Sequence, residues 1–433
     1  MSHKLTDLLL LVVTVSAALM LSVGCGKPPA GQTLIRYARW GLPEEIESER
    51  QLIAQFEATH PGIKVKLEYA SWAQYWTKIQ AQLAAHEAPD VILMTAMYLQ
   101  DFAKRNQLVD LAPMLKADPA LKLDQYYASP VEGLKIDQKL YGLPRDCNTV
   151  GIYYNKTLFE NRGVPLPTAD WTWADLRNAA KQLTFDDNKD GRMDCWGFLA
   201  GYQTIEVEWG YWVEQNGGAI LNPERTHCLL DQPAAAEALK FLHAFVVDGL
   251  SPGPADTGGF GTGIDMFTVG RIAMVAAGSW GVKSFSTIEK FKWDIAPLPR
   301  GKVKAAPSNG LGYAIYQGSK QQAAAWELAK FLVSEPAQRQ LAKSGTSIPA
   351  LRAVAESADY LDGKPAGKQF FLEQLGYGQP LPCTENLARW ETAIRDQLEL
   401  VWLGKQTMDD GLKAATRDVD AILAKNTAPP ASQ

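Results

Sequence analysis

Residues Tyr141–Phe159 read YGLPRDCNTVGIYYNKTLF. Gly142 and Pro144 mark a turn. Val150, Ile152 and Tyr154 then recur at period two, the spacing of a half-buried strand. Asn155-Lys156 ends that strand, and Leu158-Phe159 opens a short helix. Such a strand is ordinary core material in any α/β protein, so its neighbours decide what it belongs to.

On the N-terminal side, Thr33–Trp40 is a first strand. Leu52, Ile53 and Phe56 share one face of a helix that His60-Pro61-Gly62 stops. Ile63, Val65, Leu67 and Tyr69 alternate as a second strand, and Tyr75, Ile79 and Leu83 form a helical stripe. Val91–Met94 is wholly apolar, like a central parallel strand. Strand, helix, strand, helix, strand is a βαβ series and predicts an α/β fold. Ligands of such sheets sit beyond the strand C-termini, which selects Trp40-Gly41 and Met94-Thr95.

On the C-terminal side, Thr172-Trp-Ala-Asp175 fits a capping box. Trp212–Gly218 closes a helix with glycine. Pro233 opens another, whose buried face is Leu239, Leu242, Phe245 and Val246. Phe267–Met274 runs through a turn into a strand that ends at Gly278-Ser279-Trp280. A chain of 433 residues exceeds one typical domain and predicts two lobes. Ile295–Pro299 and Gly310–Ile315 are expected as strands returning to the first lobe, and Thr346–Pro349 as a return to the second. Helices over Leu387–Leu403 and Met408–Ala424 close the fold, and Pro/Ala-rich Asn426–Gln433 is a disordered tail.

Hydrophobic residues at 46% and charged residues at 21% are those of a soluble globular protein. A net charge of −5 without a basic block argues against nucleic acid and against an electrostatic membrane patch. The 13 tryptophans supply large flat amphipathic surfaces. Lys4, the apolar run Leu8–Val23 and the small residues before Cys25 make a secretory signal. The run is about 16 residues, short of the roughly 20 a membrane span needs. The Gly24-Cys25 junction resembles a bacterial lipobox, with Ser22 where Leu is usual. Cys25 is then the lipidation site, and 25–32 a lipidated tether. Cys147, Cys195, Cys228 and Cys383 remain; export permits disulfides, and all three full pairings stay open.

Asp186, Asn188, Asp190 and Asp194, with Gly191 at position 6, take the spacing of a calcium loop. The Glu of position 12 is replaced by Gly197. The competing reading is an Asp/Asn/Gly turn. No other cofactor is required.

Several further pieces stand in one order: P-D-V at Pro89, the stretch quoted above, N-G-G at Asn216, V-G-R-I-A-M at Val269, G-S-W at Gly278, A-P-L-P at Ala296, F-L-V-S-E-P-A-Q at Phe331 and S-I-P-A at Ser347. Together they resemble the extracellular solute-binding proteins of the maltose-binding type, over nearly all of the mature chain. The resemblance implies a two-lobe type II periplasmic-binding-protein fold with a hinged cleft. It also implies capture of a sugar or oligosaccharide for the permease of an ABC importer. Its implied layout is a signal peptide at 1–24, a first lobe from 33–146 and 292–345, a second from 147–291 and 346–425, and the tail 426–433. The mature protein is expected as a monomer.

Trp280 matches the family's stacking aromatic after the G-x-A-M strand, and Trp390 another near the C-terminal helix. Asp146 and Asn148 fall where the family places a ligand-binding acid. Trp40, Trp72 and Tyr75 lie at the first-lobe rim, and Glu208, Trp209 and Trp212 at the second-lobe rim. Tyr98 and Arg145 are further candidates. Sugars present apolar C–H faces and many hydroxyls, which aromatics, carboxylates and amides match. Each aromatic has core packing as its competing reading.

Two rival functions follow from the same residues. Glu206, Glu208 and Asp146 are carboxylates from which a glycoside hydrolase pair is assembled. A receptor for peptides or anions is the other, and for an anion Gly258–Gly263 would supply a glycine-rich helix start, with a flexible loop as the better-fitting competing reading.

Overall fold

A computed structural model describes residues 31–257 and 263–427. The first lobe is built on a five-stranded sheet. Its strands are β1 (Thr33–Trp40), β2 (Ile63–Ala70), β3 (Val91–Thr95), β4 (Leu143–Pro144) and a late-returning strand, Leu311–Ile315. β2, β1 and β3 are parallel, and Leu311–Ile315 lies antiparallel between β3 and β4. Every residue of β3 is buried, as an apolar strand covered on both faces requires. Helix α1 (Pro43–Thr59) starts with proline in its first turn, and Glu45 reaches back to the Leu42 N–H at 2.8 Å. Helix α2 (Trp72–Ala84) turns Tyr75, Trp76, Ile79 and Leu83 onto the sheet, and α3 (Ala96–Ala103) follows β3 directly.

The second lobe is built on three antiparallel strands. β6 (Val150–Asn155) lies between β7 (Met274–Gly278) and β8 (Trp293–Ala296). Gly151 in β6 sits so close to Phe371 and Ile295 that a Cβ would meet them at 2.9 and 3.0 Å. The capping box forms: the Thr172 hydroxyl accepts from Asp175 N while the Asp175 carboxylate accepts from Thr172 N. Helices α4 (Pro233–Val247), α5 (Leu387–Trp402) and α6 (Met408–Thr427) pack together beside this sheet.

Three segments join the lobes. β5 (Asp146–Cys147) carries the chain from β4 to β6 and pairs with Ile348–Pro349. Asn148 and Asn309 exchange backbone hydrogen bonds at 2.7 and 2.9 Å, tying the first crossing to the second.

Three boundaries differ from the expectation. Trp293–Ala296 stays in the second sheet, paired to Ile152–Asn155, so the return to the first lobe falls between Ala296 and Leu311 rather than at 292. Prolines 297 and 299 cannot supply ladder donors, and the strand ends before them. Ile348–Ala355 packs on the first-lobe helix Glu335–Ser344, and the chain rejoins the second sheet only at Lys368–Leu375. The last helix continues through Asn426 to Thr427. Residues 1–30, which include the expected signal segment and Cys25, lie outside the described residues, as do 258–262 and 428–433.

Candidate ligand cleft

The first-lobe wall is aromatic. β1 ends on Trp40, α2 begins with Trp72 and carries Tyr75 and Trp76 on its next turn, and α3 contributes Tyr98. Trp40 meets Trp72 edge-on at 4.9 Å and Tyr75 at 5.1 Å, and Tyr98 stacks on Trp76 at 4.0 Å. Trp72 is 43% exposed and Trp40 and Tyr98 are half-buried, so three rings keep solvent-facing surface. Tyr75 does not: its hydroxyl donates to Leu93 O at 2.7 Å and straps α2 to the sheet. Its periodicity with Ile79 and Leu83 marked it as core, and core packing prevails.

The second-lobe wall is acidic. Ile205–Trp209 forms a π-helical turn ahead of a short helix, Gly210–Gln215; such turns are rare and cluster at functional sites. Glu206 Oε1 accepts from Asn309 Nδ2 at 2.8 Å, linking this turn to the second crossing. The Glu208 carboxylate accepts from Gln203 N and, at 3.1 Å, from Thr204 N. Glu391 of α5 accepts from Ile205 N at 3.0 Å.

Desolvation pushes the Glu206 carboxyl up to about 7; Asn309 opposes the shift, and the charges of Glu391 and Asp146 add to it. Burial likewise raises Glu208 and Glu391. Burial also raises the Tyr98 phenol, with Glu391 and Asp101 contributing, so the acidic wall lies within electrostatic reach of the aromatic one. The lobes also meet where Gln100 Nε2 donates to Cys383 O at 2.8 Å and Lys104 pairs with Glu385 at 3.0 Å.

Trp280 is 36% exposed and folds back over Gly278, where a Cβ would lie 2.2 Å from the indole ring. Next to it, Ser279 donates through N to Thr149 O at 2.9 Å and through Oγ to Asn148 Oδ1 at 3.4 Å. Trp280 therefore stands beside the crossing.

Asp146 is fully buried. It pairs with Arg145 and accepts from Leu311 N at 2.9 Å and from Asn148 Nδ2 at 3.3 Å. Burial pushes its carboxyl up while Arg145 opposes the shift. Its oxygens hold the crossing strands together instead of facing solvent. Asn148 serves the same junction.

Trp209, Trp212 and Trp390 are fully buried, which corrects their placement at the cleft. Trp212 donates to Glu208 O at 3.1 Å and lies among Trp173, Phe198 and Phe241. Trp390 donates to Thr384 Oγ1 at 2.9 Å. Successive helical residues point about 100° apart, so Glu391 faces away from the buried Trp390 and toward Ile205 N. Glu391, Asn309 and Trp76 were missed, and Glu206 had been weighed only as half of an enzymatic pair. Nothing in spacing distinguishes Glu391 from its neighbours; the burial of Trp390 is the missing signal.

In the calcium-like loop, Asp186 Oδ2 accepts from Gly191 N at 2.9 Å, Asp190 Oδ1 from Arg192 N at 2.8 Å, and Asp194 Oδ2 from Asp187 N at 2.8 Å. Asn188 accepts from Asp190 N. The side chains pin their own turn. Among the described residues, no three His, Cys, Asp or Glu side chains cluster to hold a metal. The four described cysteines are free and buried.

Residues 41–339 match the family described as bacterial extracellular solute-binding protein. The chain belongs to this family. The solute-binding protein is 25% identical over 409 residues to a maltooligosaccharide ABC transporter solute-binding lipoprotein of Streptococcus pneumoniae, covering 91% of this chain and 92% of that one. It is 24% identical over 400 residues to the galactooligosaccharide-binding protein of Bacillus subtilis, covering 88% and 89%. A third relative, at 23% over 417 residues and 89% of each chain, is the sn-glycerol-3-phosphate-binding periplasmic protein of Pectobacterium atrosepticum. Among solved structures, an ABC substrate-binding protein of Listeria monocytogenes in complex with cycloalternan superposes with a TM-score of 0.84 at 28% identity, over 91% of this chain and 99% of that one.

Proposed function

We propose that this solute-binding protein captures a sugar or oligosaccharide between its lobes and delivers it to the membrane permease of an ABC importer. The observation that carries the reading is the pairing of exposed Trp72 and half-buried Trp40 and Tyr98 with the carboxylates Glu206 and Glu391 of the other lobe. Rings cover the apolar faces of a pyranose, and carboxylates accept from its hydroxyls. The names of the Streptococcus and Bacillus relatives support the same ligand class. A phosphate ligand, as in the Pectobacterium relative's name, would meet the carboxyl groups of Glu206, Glu208 and Glu391, which repel it whenever they ionise, and is disfavoured.

The Gly24-Cys25 junction supports export and lipid anchoring at Cys25, with the mature chain held as a monomer at the outer face of the membrane. Cys25→Ser should release soluble protein. Among the described residues no helix is long and apolar enough to cross a membrane.

Calorimetric titration with neutral and charged oligosaccharides tests the ligand class, and a reducing-end assay on the same mixtures tests for hydrolysis. Saturable binding without bond cleavage is expected. Cleavage at a steady rate would replace the carrier by a hydrolase.

A further inference from the structure

Helix α3 carries Tyr98 of the aromatic wall, and its other faces belong to different lobes. Leu99, Phe102 and Ala103 are buried in the first-lobe core. Ala96, Met97, Gln100, Asp101 and Lys104 follow the spacing of a single helical stripe. All five meet the second lobe. Ala96 and Met97 pack with its core. Gln100 Nε2 donates to Cys383 O at 2.8 Å, Asp101 Oδ1 accepts from Asn386 N at 2.8 Å, and Lys104 pairs with Glu385 at 3.0 Å. The polar half of the stripe thus finds its partners in one short loop, Cys383–Asn386, directly ahead of α5.

That loop is braced from within the second lobe. Arg225 Nη1 donates to the same Cys383 O at 2.9 Å, and Thr384 Oγ1 accepts from Trp390 Nε1 at 2.9 Å. Asn426 Nδ2 donates to Glu385 O at 2.8 Å, while Asn426 Oδ1 accepts from Asn386 Nδ2 at 2.6 Å. Asn386 itself has φ +60°, a left-handed conformation that asparagine tolerates. The loop is therefore a fixed socket for the α3 stripe. It also lies at the cleft lip. Tyr98 precedes Gln100 by two residues, and Glu391 follows Asn386 by five. The Glu391 charge reaches the Tyr98 phenol.

We infer that the α3 stripe and the Cys383–Asn386 loop form a clasp that holds the lips of the cleft together, positions Tyr98 opposite Glu391, and sets how long a bound ligand stays. Gln100, Asp101, Lys104 and Glu385 are positioning residues, joining lobe to lobe. Two hydrogen bonds and an exposed ion pair exchange for water at small net cost, so the clasp opens and recloses without disturbing either core. The inference rests on the carbohydrate reading above for its choice of probe.

Lys104 and Glu385 keep 44% and 21% of their side-chain surface exposed, so substitutions there leave both lobes folded. Lys104→Glu sets two carboxylates face to face, Glu385→Lys sets two ammonium groups, and the double variant restores the pair in reverse. The purified mature chain and these three variants are compared by small-angle scattering without ligand and by stopped-flow release of maltotriose and galactobiose. Each single variant should enlarge the radius of gyration and speed release about tenfold, with association changed less than about threefold. The double variant should recover the wild-type radius and release within about threefold of wild type. A role confined to the folding of α3 would not be rescued from the other lobe. Single variants with wild-type scattering, single variants with wild-type release, or a double variant no closer to wild type than the singles would each overturn the clasp. If neither sugar binds, the carbohydrate reading fails on these probes, and the ligand-free scattering decides the clasp by itself.

Discussion

The two walls of the cleft are built by different means. The first-lobe wall stands on regular elements: the end of a parallel strand and the first turns of two helices, where chain geometry alone aims Trp40, Trp72 and Tyr98 outward. The second-lobe wall stands on an irregular turn, where carboxylates are oriented one by one by backbone N–H groups and an amide. Rings supply area wherever a fold exposes them. Carboxylates supply direction only where something holds them. The contrast explains why Trp40 and Trp72 keep solvent-facing surface near the first rim, while Tyr75 there and Trp209 and Trp212 of the second are buried.

The largest test of that contrast swaps wall for core. Trp390→Ala and Trp212→Ala empty fully buried sites and should each cost about 3–5 kcal/mol of stability, read by denaturant melts, while folded molecules keep their ligand affinity. Normal melting with lost binding in Trp390→Ala would return that residue to the cleft.

Next in size is the hinge. Asp146→Ala leaves Arg145 buried without its partner, and should destabilise by about 3–5 kcal/mol at most and slow or uncouple lobe closure, seen by small-angle scattering with and without ligand. An unchanged scattering difference would mean that Asp146 holds the crossing without governing its motion.

Trp72→Ala should do the opposite of the core changes. It removes an exposed ring and should weaken binding by about 2 kcal/mol, roughly thirtyfold, with melting nearly unaltered. A large loss of stability there would make the aromatic wall structural.

A smaller effect is expected from pH. In the folded chain Glu206 and Glu214 titrate near 7, raised from 4.5 chiefly by desolvation. Between those values the native state holds protons that the unfolded chain has released. Their contribution is therefore fully present below about pH 4.5 and is lost as pH rises through 7, by at most about 3 kcal/mol for each group. Glu206→Gln should flatten part of that slope in melts of the ligand-free protein. A slope unchanged by the variant would place the proton elsewhere.

The smallest effect concerns the Asp186 loop. Because its side chains already satisfy its own backbone, chelator should leave the melting temperature within about 1 °C. A clear drop would identify a bound ion that stabilises the fold.

Period determined the regular parts: the alternation in Ile63–Ala70 and the apolar run Val91–Met94 were enough for an α/β fold, and the resemblance carried by the ordered motifs from Pro89 to Ser347 added the two-lobe solute-binding architecture. Hydrophobic periodicity is a local consequence of burial, and it survives in sequence. Tertiary structure alone decided which face of each tryptophan meets solvent. Trp390 and Glu391 are neighbours in the chain, yet the first is sealed in the second lobe's core and the second reaches Ile205 N across the acidic wall. Likewise Ile295-Ala296 resembled a returning strand until pairing with β6 held it in the second sheet. Crossings and cleft faces depend on partners far along the chain, and neither composition nor period records which partner a residue will meet.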